Sequence, residues 1–372
     1  MTDFPPPIDG MLRPAGAGIH VVSTGVEELL ELQERIYGVQ GRDAVLAAWQ
    51  NALGRAGNRI SVLGVPSDTG AGFRKGANHG PNGVRSTLLS RQESAYHNDA
   101  VVDLGDVFCI PHLLSEEMLN VAQRRRCQQS VYGAVDVPAD WPVSPLGLTY
   151  AVLSERYRSS QTENTEKPIV IGGDHSVGWP AFKSAFDHWE AGCGERLGLL
   201  HFDAHTDLLP SRLGVDYCFA TWAYHANELL QRDGRLYQVG IRTSGRTKAH
   251  WENTLNVRQL WAEQARATPA KAAAKDVIER FESLGVTKLY ISNDIDGVDP
   301  FWASATGTPE PDGLHPEWVS ELTRRVAEVF PLVGADLVEV APTLEPLGSD
   351  ALMRTLDTAA DFIEDFFSLM NG

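Results

Sequence analysis

The chain is short of basic residues. Its 32 Lys and Arg stand against 49 Asp and Glu, a formal charge of −17. That balance argues against nucleic acid or an anionic membrane as the main partner and weakly favours a cationic ligand. Long apolar runs are missing as well: no stretch of 18 apolar residues occurs, so nothing in the sequence is built to span a bilayer. The opening Met1-Thr-Asp-Phe-Pro-Pro-Pro7 has neither the basic n-region nor the apolar h-region of a secretory signal. Cysteines number only four (Cys109, Cys127, Cys193, Cys218) and none has C-x-x-C spacing, which reads as reduced thiols in a cytoplasmic protein. Internal repeats and low-complexity tracts are absent too.

What is present is 372 residues, enough for one large α/β domain or two smaller ones. Residues 1–58 read as an N-terminal arm, with helical apolar spacing in Val26–Arg35 and Ala44–Trp49. Because that apolar face precedes the motif-bearing part of the chain, it is expected to pack on a neighbouring subunit. From residue 59 to 372 strands and helices alternate. Ile60–Val65, Ala100–Leu104, Pro168–Ile171, Leu197–Leu200, Arg235–Val239, Lys288–Ile291 and Ala335–Val340 read as strands. Lys271–Ser283, Pro316–Arg325 and Leu352–Phe367 read as helices. This alternation implies a mostly parallel sheet with helices on both faces. Residues Gln123–Leu146 read as irregular, with the Arg124–Arg126 run a solvated face, and Arg158–Lys167 reads as a polar surface loop.

Three polar blocks each follow an apolar run: Gly172-Gly-Asp-His-Ser176, His201-Phe-Asp-Ala-His-Thr-Asp207 and Ser292-Asn-Asp-Ile-Asp-Gly-Val-Asp-Pro300. Buried strands whose carboxyl tips emerge into a site have this form. In an extended segment alternate side chains share a face, so Asp203, His205 and Asp207 would point together, as would Asp294 and Asp296. With His175 they make four carboxylates and two imidazoles on one rim, a ligand set suited to two divalent cations. Leaving those carboxylates together without cations would cost several kcal/mol per ion.

The three motifs, in this order, resemble the ureohydrolase family of arginases and agmatinases. Phe73-Arg-Lys-Gly-Ala-Asn-His-Gly-Pro81 with Arg85, Asp103-Leu-Gly-Asp106, Gln238-Val-Gly-Ile-Arg242, Thr306-Gly-Thr-Pro-Glu310 and Asp336-Leu-Val-Glu-Val-Ala-Pro342 extend the likeness. The resemblance implies a three-layer arginase-like α/β fold and an assembly of identical subunits, a trimer or hexamer. It also implies two metal ions per chain, Mn²⁺ or Ni²⁺. His175, Asp203, Asp207 and Asp294 resemble the ligands of one ion, and Asp203, His205, Asp294 and Asp296 those of the other. Guanidinium is a poor electrophile, and two cations sharing a water lower its pKa toward neutrality. Asp207 would then carry a proton to the departing nitrogen, and Glu339 would grip the planar N–H pair.

The pattern departs from the family in two places. The loop Leu208-Leu-Pro-Ser-Arg-Leu-Gly214 lacks the Asn/Ser/Thr-rich character by which arginases hold an α-amino acid head group. Many members carry a His-Gly-Thr segment after this strand, where here Tyr217-Cys-Phe-Ala-Thr-Trp-Ala-Tyr-His225 places Phe219 for the histidine. His225 reads as a packing histidine and Cys218 as a small buried residue. Tyr217, Phe219 and Trp222 suggest a tight, largely apolar pocket, most like the branch that hydrolyses guanidine or small alkylguanidines. Arg212 would serve a longer guanidino acid, and agmatinase, guanidinobutyrase or arginase activity is the alternative. A non-catalytic subunit of a mixed oligomer is a third reading, but such a chain should have lost ligands, and all six are present.

Overall fold

The computed structural model describes residues 8–19, 22–55, 59–133, 137–159 and 166–371. The strands are β1 (Leu12–Arg13), β2 (Ile60–Val65), β3 (Val101–Val107), β4 (Lys167–Gly172) and β5 (Leu197–Phe202). They continue with β6 (Leu236–Val239), β7 (Arg258–Leu260), β8 (Lys288–Asp294) and β9 (Leu332–Val338). They form one sheet in the order β1-β3-β2-β4-β9-β8-β5-β6-β7. Every pairing is parallel except that of β1 with β3.

Alternating strand residues feed two cores. Val170 and Leu199 join helices Pro145–Ser159 and Gly178–Phe186 on one face. Ile169, Ile171 and Leu200 join helices Ala270–Ser283, Pro316–Ala327 and Asp350–Asn371 on the other. The expected three-layer α/β architecture is therefore the observed one. The register then positions the site. Ile171 pairs with Leu337, Asp294 with Val338 and Phe202 with Asn293, so β4, β9, β8 and β5 end level with one another. All the polar blocks leave from that one carboxyl edge. No helix among the described residues is long and apolar enough to cross a membrane.

Several expectations need correction. Val121–Tyr132 is a helix, where irregular chain was expected. It has little apolar periodicity, but a capping box starts it: Asn120 Oδ1 accepts from Gln123 N (2.9 Å) and Gln123 Oε1 from Asn120 N (3.2 Å). Arg124 and Arg125 turn back onto the carbonyls of Trp141 and Val137. Of the segment read as a polar loop, residues 158 and 159 close a helix, and 160–165 lie outside the described residues.

The arm packs on its own chain. Helix Arg42–Leu53 buries Val45, Trp49 and Ala52, and Trp49 Nε1 donates to Leu104 O of β3 (2.9 Å). β1 adds an antiparallel edge, and a side chain at Gly105 (φ +85°) would meet Arg13 O at 2.1 Å, so only glycine lets that strand approach. Gly16 N and Gly18 N donate to Asp106 Oδ2, which shares the buried guanidinium of Arg85 with Asp103. The expectation that this apolar face awaits a neighbouring subunit is therefore wrong for Arg42–Leu53. Trp49→Ala is expected to lower stability by about 3–5 kcal/mol. A denaturant midpoint equal to that of the native chain would remove the arm from the core.

Candidate metal centre and active site

Asx turns at the ends of β4, β5 and β8 build the site. Asp203 Oδ1 accepts from His205 N (2.6 Å), Asp294 Oδ1 from Asp296 N (2.9 Å) and Asp174 Oδ1 from Ser176 N (3.0 Å). This corrects the reading by strand alternation. β5 ends at Phe202, and Asp207 has a left-handed backbone (φ 51°), so a turn rather than an extended strand gathers Asp203, His205 and Asp207. β9 likewise stops at Val338, one residue before Glu339. Glu339 also has positive φ (62°), and its N–H bonds Gly173 O (2.8 Å).

The turns bring six donor groups into two overlapping sets. His175 Nδ1 lies 3.2 Å from Asp203 Oδ2, 3.3 Å from Asp207 Oδ2 and 3.1 Å from Asp294 Oδ2. His205 Nδ1 lies 3.4 Å from Asp203 Oδ1 and 3.1 Å from Asp296 Oδ2. Asp203 thus turns one oxygen to each set. Asp294 reaches the first set through Oδ2, while its Oδ1 caps a turn. All these carboxylates are buried, and His205 is about a quarter exposed.

Supporting bonds fix the orientations. Ser292 Oγ donates to Asp336 Oδ1 (2.7 Å), so it receives the proton of His175 Nε2 (3.0 Å). Tyr290 holds the other oxygen of Asp336 (2.9 Å). Thr308 Oγ1 donates to Asp296 Oδ2 (2.9 Å), and Ala204 N to Asp296 Oδ1 (3.1 Å). In the neutral imidazole of His175 this leaves Nδ1 as a bare lone pair. It is buried, makes no hydrogen bond, and faces three carboxylate oxygens. Lone pair against carboxylate is repulsive unless a cation lies among them, so the residues present fit a divalent ion.

Electrostatics point the same way. Burial, then the charge of Asp203, pushes the Asp207 carboxyl well above its usual range. Burial, then Asp296 and Asp203, does the same to Asp294, and burial, then Asp294, does it to Glu339. A cluster so averse to its own negative charge is one that cations relieve.

A cavity of about 470 Å³ opens over the cluster. His175, His205, Asp207, Asp294 and Glu339 form its floor, and Phe73, Arg212, Phe219, Arg246 and Trp251 stand in its walls. Phe219 lies against Gly72, where a Cβ would sit 2.5 Å from its Cζ, and Arg212 stacks over the ring at 5.3 Å. The pocket is roomier than the tight one expected, and its lining is largely apolar.

Trp222 is not a wall. It is fully buried behind the ligands, its ring against His175 (4.6 Å between centroids) and its Nε1 donating to Asp207 Oδ2 (3.0 Å). His225 packs between Tyr217 and Trp179 and meets Asp216 O (2.8 Å), away from the cavity lining. Ser292, Thr308 and Asp336 stood in the recognised motifs without roles. A carboxylate in the middle of an apolar strand, as Asp336 is, was the available signal.

A parallel sheet whose carboxyl edge gathers buried carboxylates and imidazoles beneath an open cavity defines a metal-assisted hydrolase. The chain belongs to the arginase family, whose profile matches residues 58–368. Such enzymes hydrolyse C–N bonds in linear amidines, and this chain is a hydrolase of that kind. The family uses a dinuclear metal site, and the His/Asp cluster of this chain could hold metal ions. It is 31% identical over 304 residues to the mitochondrial guanidino acid hydrolase of Homo sapiens, covering 79% of this chain and 74% of that one. It is 27% identical over 304 residues to a guanidinobutyrase of Pseudomonas aeruginosa, covering 79% and 82%. Among solved structures, the proclavaminate amidino hydrolase of Streptomyces clavuligerus superposes with a TM-score of 0.63 at 25% identity, covering 85% of this chain and 94% of that one.

Proposed function

We propose that this chain hydrolyses a small guanidinium compound, guanidine itself or a short alkylguanidine, releasing urea and ammonia or an amine. Phe219 carries the reading. Its ring closes against Gly72 above the cluster and offers no hydrogen bond, whereas a long polar tail would need partners there. We assign His175, Asp203, Asp207 and Asp294 to one Mn²⁺ or Ni²⁺, and Asp203, His205, Asp294 and Asp296 to the other. When bound, the two cations supply the Lewis acidity that makes water nucleophilic near neutral pH.

The chain's own groups do the rest. Glu339 Oε1 is held by His175 N (2.9 Å), and its Oε2 accepts no bond from the described residues, so it is open to a guanidinium N–H. Asp207 Oδ2 is occupied by Trp222, which leaves Oδ1 to take the proton of the attacking water and return it to the leaving nitrogen. Phe219 shields that exchange from bulk water.

A second reading has its own observation. Arg212 and Arg246 line the outer cavity, and two guanidinium groups suit the carboxylate of a longer guanidino acid. Urea release across guanidine, methylguanidine, agmatine, 4-guanidinobutyrate and arginine separates the two. Guanidine or methylguanidine is expected to lead in kcat/KM, and Phe219→Ala to narrow the gap by about tenfold. Much faster turnover of 4-guanidinobutyrate, lost in Arg212→Ala, would instead establish the second reading.

A further inference from the structure

A directed chain of side chains, buried from Gln259 inward, reaches the centre from β6 and β7, which lie across β8 and β5 from β9. Trp261 Nε1 donates to Gln259 Oε1 (2.9 Å), and Gln259 Nε2 donates to Gln238 Oε1 (2.8 Å). Gln238 Nε2 donates to Thr206 O (2.7 Å) and to His201 Nδ1 (3.0 Å). His201 Nε2 then meets Asp203 Oδ2 at 2.9 Å.

The polarity of this chain is forced at two points. An indole N–H only donates, so Gln259 must turn its oxygen to Trp261 and its amide to Gln238. A backbone carbonyl only accepts, so Gln238 must turn its amide toward Thr206, and with it toward His201. His201, Gln238 and Gln259 are buried, so no water offers another arrangement. His201 Nδ1 therefore accepts, and its one proton sits on Nε2.

His201 also lies within reach of the first ligand set, so it is either a ligand or a support. A ligand needs a lone pair on Nε2, and the chain has placed a proton there. We infer that His201 is a positioning residue and not a metal ligand: held neutral and Nε2-protonated by Trp261, Gln259 and Gln238, it fixes the Asp203 carboxylate that serves both ligand sets. The inference rests on the two-cation reading of the cluster and is independent of which guanidino compound is consumed.

The test uses the full-length chain with ¹⁵N-labelled histidine, metal-depleted and then loaded with diamagnetic Zn²⁺, beside Mn²⁺ titrations followed by electron paramagnetic resonance. The His201 signals should show a protonated Nε2 and a bare Nδ1 in both states. His201→Leu should weaken Mn²⁺ binding about 10- to 100-fold, and His201→Gln, which keeps an N–H donor near the position of Nε2, should return within about threefold of native. Gln238→Glu reverses the chain and should both abolish the neutral Nε2–H form and weaken Mn²⁺ binding. It keeps the question answerable if the leucine variant fails to fold. A metal-bound Nε2 in the Zn²⁺ form, or native Mn²⁺ affinity in His201→Leu, overturns the inference while leaving the two-cation reading intact. A native chain that takes up fewer than two Mn²⁺ overturns both.

Discussion

Asp203→Ala is expected to empty both cation sites and to cut urea release by roughly a thousandfold, the loss of about 4 kcal/mol of Lewis-acid stabilisation. The geometry gives the reason. Asp203 Oδ2 stands with His175, Asp207 and Asp294, and its Oδ1 stands with His205 and Asp296, so one carboxylate would serve both ions of the proposed centre. Removing it also leaves the proton of His201 Nε2 buried without an acceptor, which penalises the folded site further. His205→Ala and Asp296→Ala should behave differently, each emptying one site, because their ligand atoms face only the second set. Elemental analysis of the purified variants separates these outcomes. Two ions per chain in Asp203→Ala would mean that the carboxylate does not bridge, and the assignment of the whole cluster would have to change.

The candidate ligands were legible in the sequence because each sits just past a short apolar strand, and such strands announce themselves. The reason for their convergence was less legible. Alternation along a strand puts residues two apart on one side, but so does an Asx turn, and the turn is what Asp203 and Asp294 make. The structure therefore gathers the same six residues, but by a different local geometry. Short edge strands escaped notice: Leu12–Arg13 has two residues and Arg258–Leu260 three, too few for a period to show. The helix Val121–Tyr132 has a nearly polar surface, so only its capping box betrayed it. Trp222 shows a different limit. An aromatic close in sequence to a pocket reads as lining, yet sequence carries no sign of which side of the ligands it takes. The bonds that link Gln259 through Gln238 to His201 join β5, β6 and β7, and pairings between strands far apart in the chain cannot be read from any one segment.

Glu339→Gln should keep both ions and lose the reaction. Glu339 faces none of the imidazole ligand atoms directly; its Oε1 bonds the backbone N–H of His175, and an amide oxygen can take over that bond. The left-handed backbone (φ 62°) is unaffected by a change beyond Cγ, so the fold should hold. What changes is Oε2. A carboxylate accepts two N–H bonds from a planar cation, whereas glutamine turns an NH₂ toward the same N–H groups and removes the charge that attracts them. The expected cost is about 2–5 kcal/mol in kcat/KM, roughly 30- to 5000-fold, with metal content unaltered. That combination distinguishes recognition of the guanidinium from support of the ions, because loss of a ligand would lower both together. If Glu339→Gln held two ions and turned over at the native rate, the guanidinium would have to be gripped elsewhere in the cavity. Thr243 and Ser244, on its far wall, would be the groups to replace next.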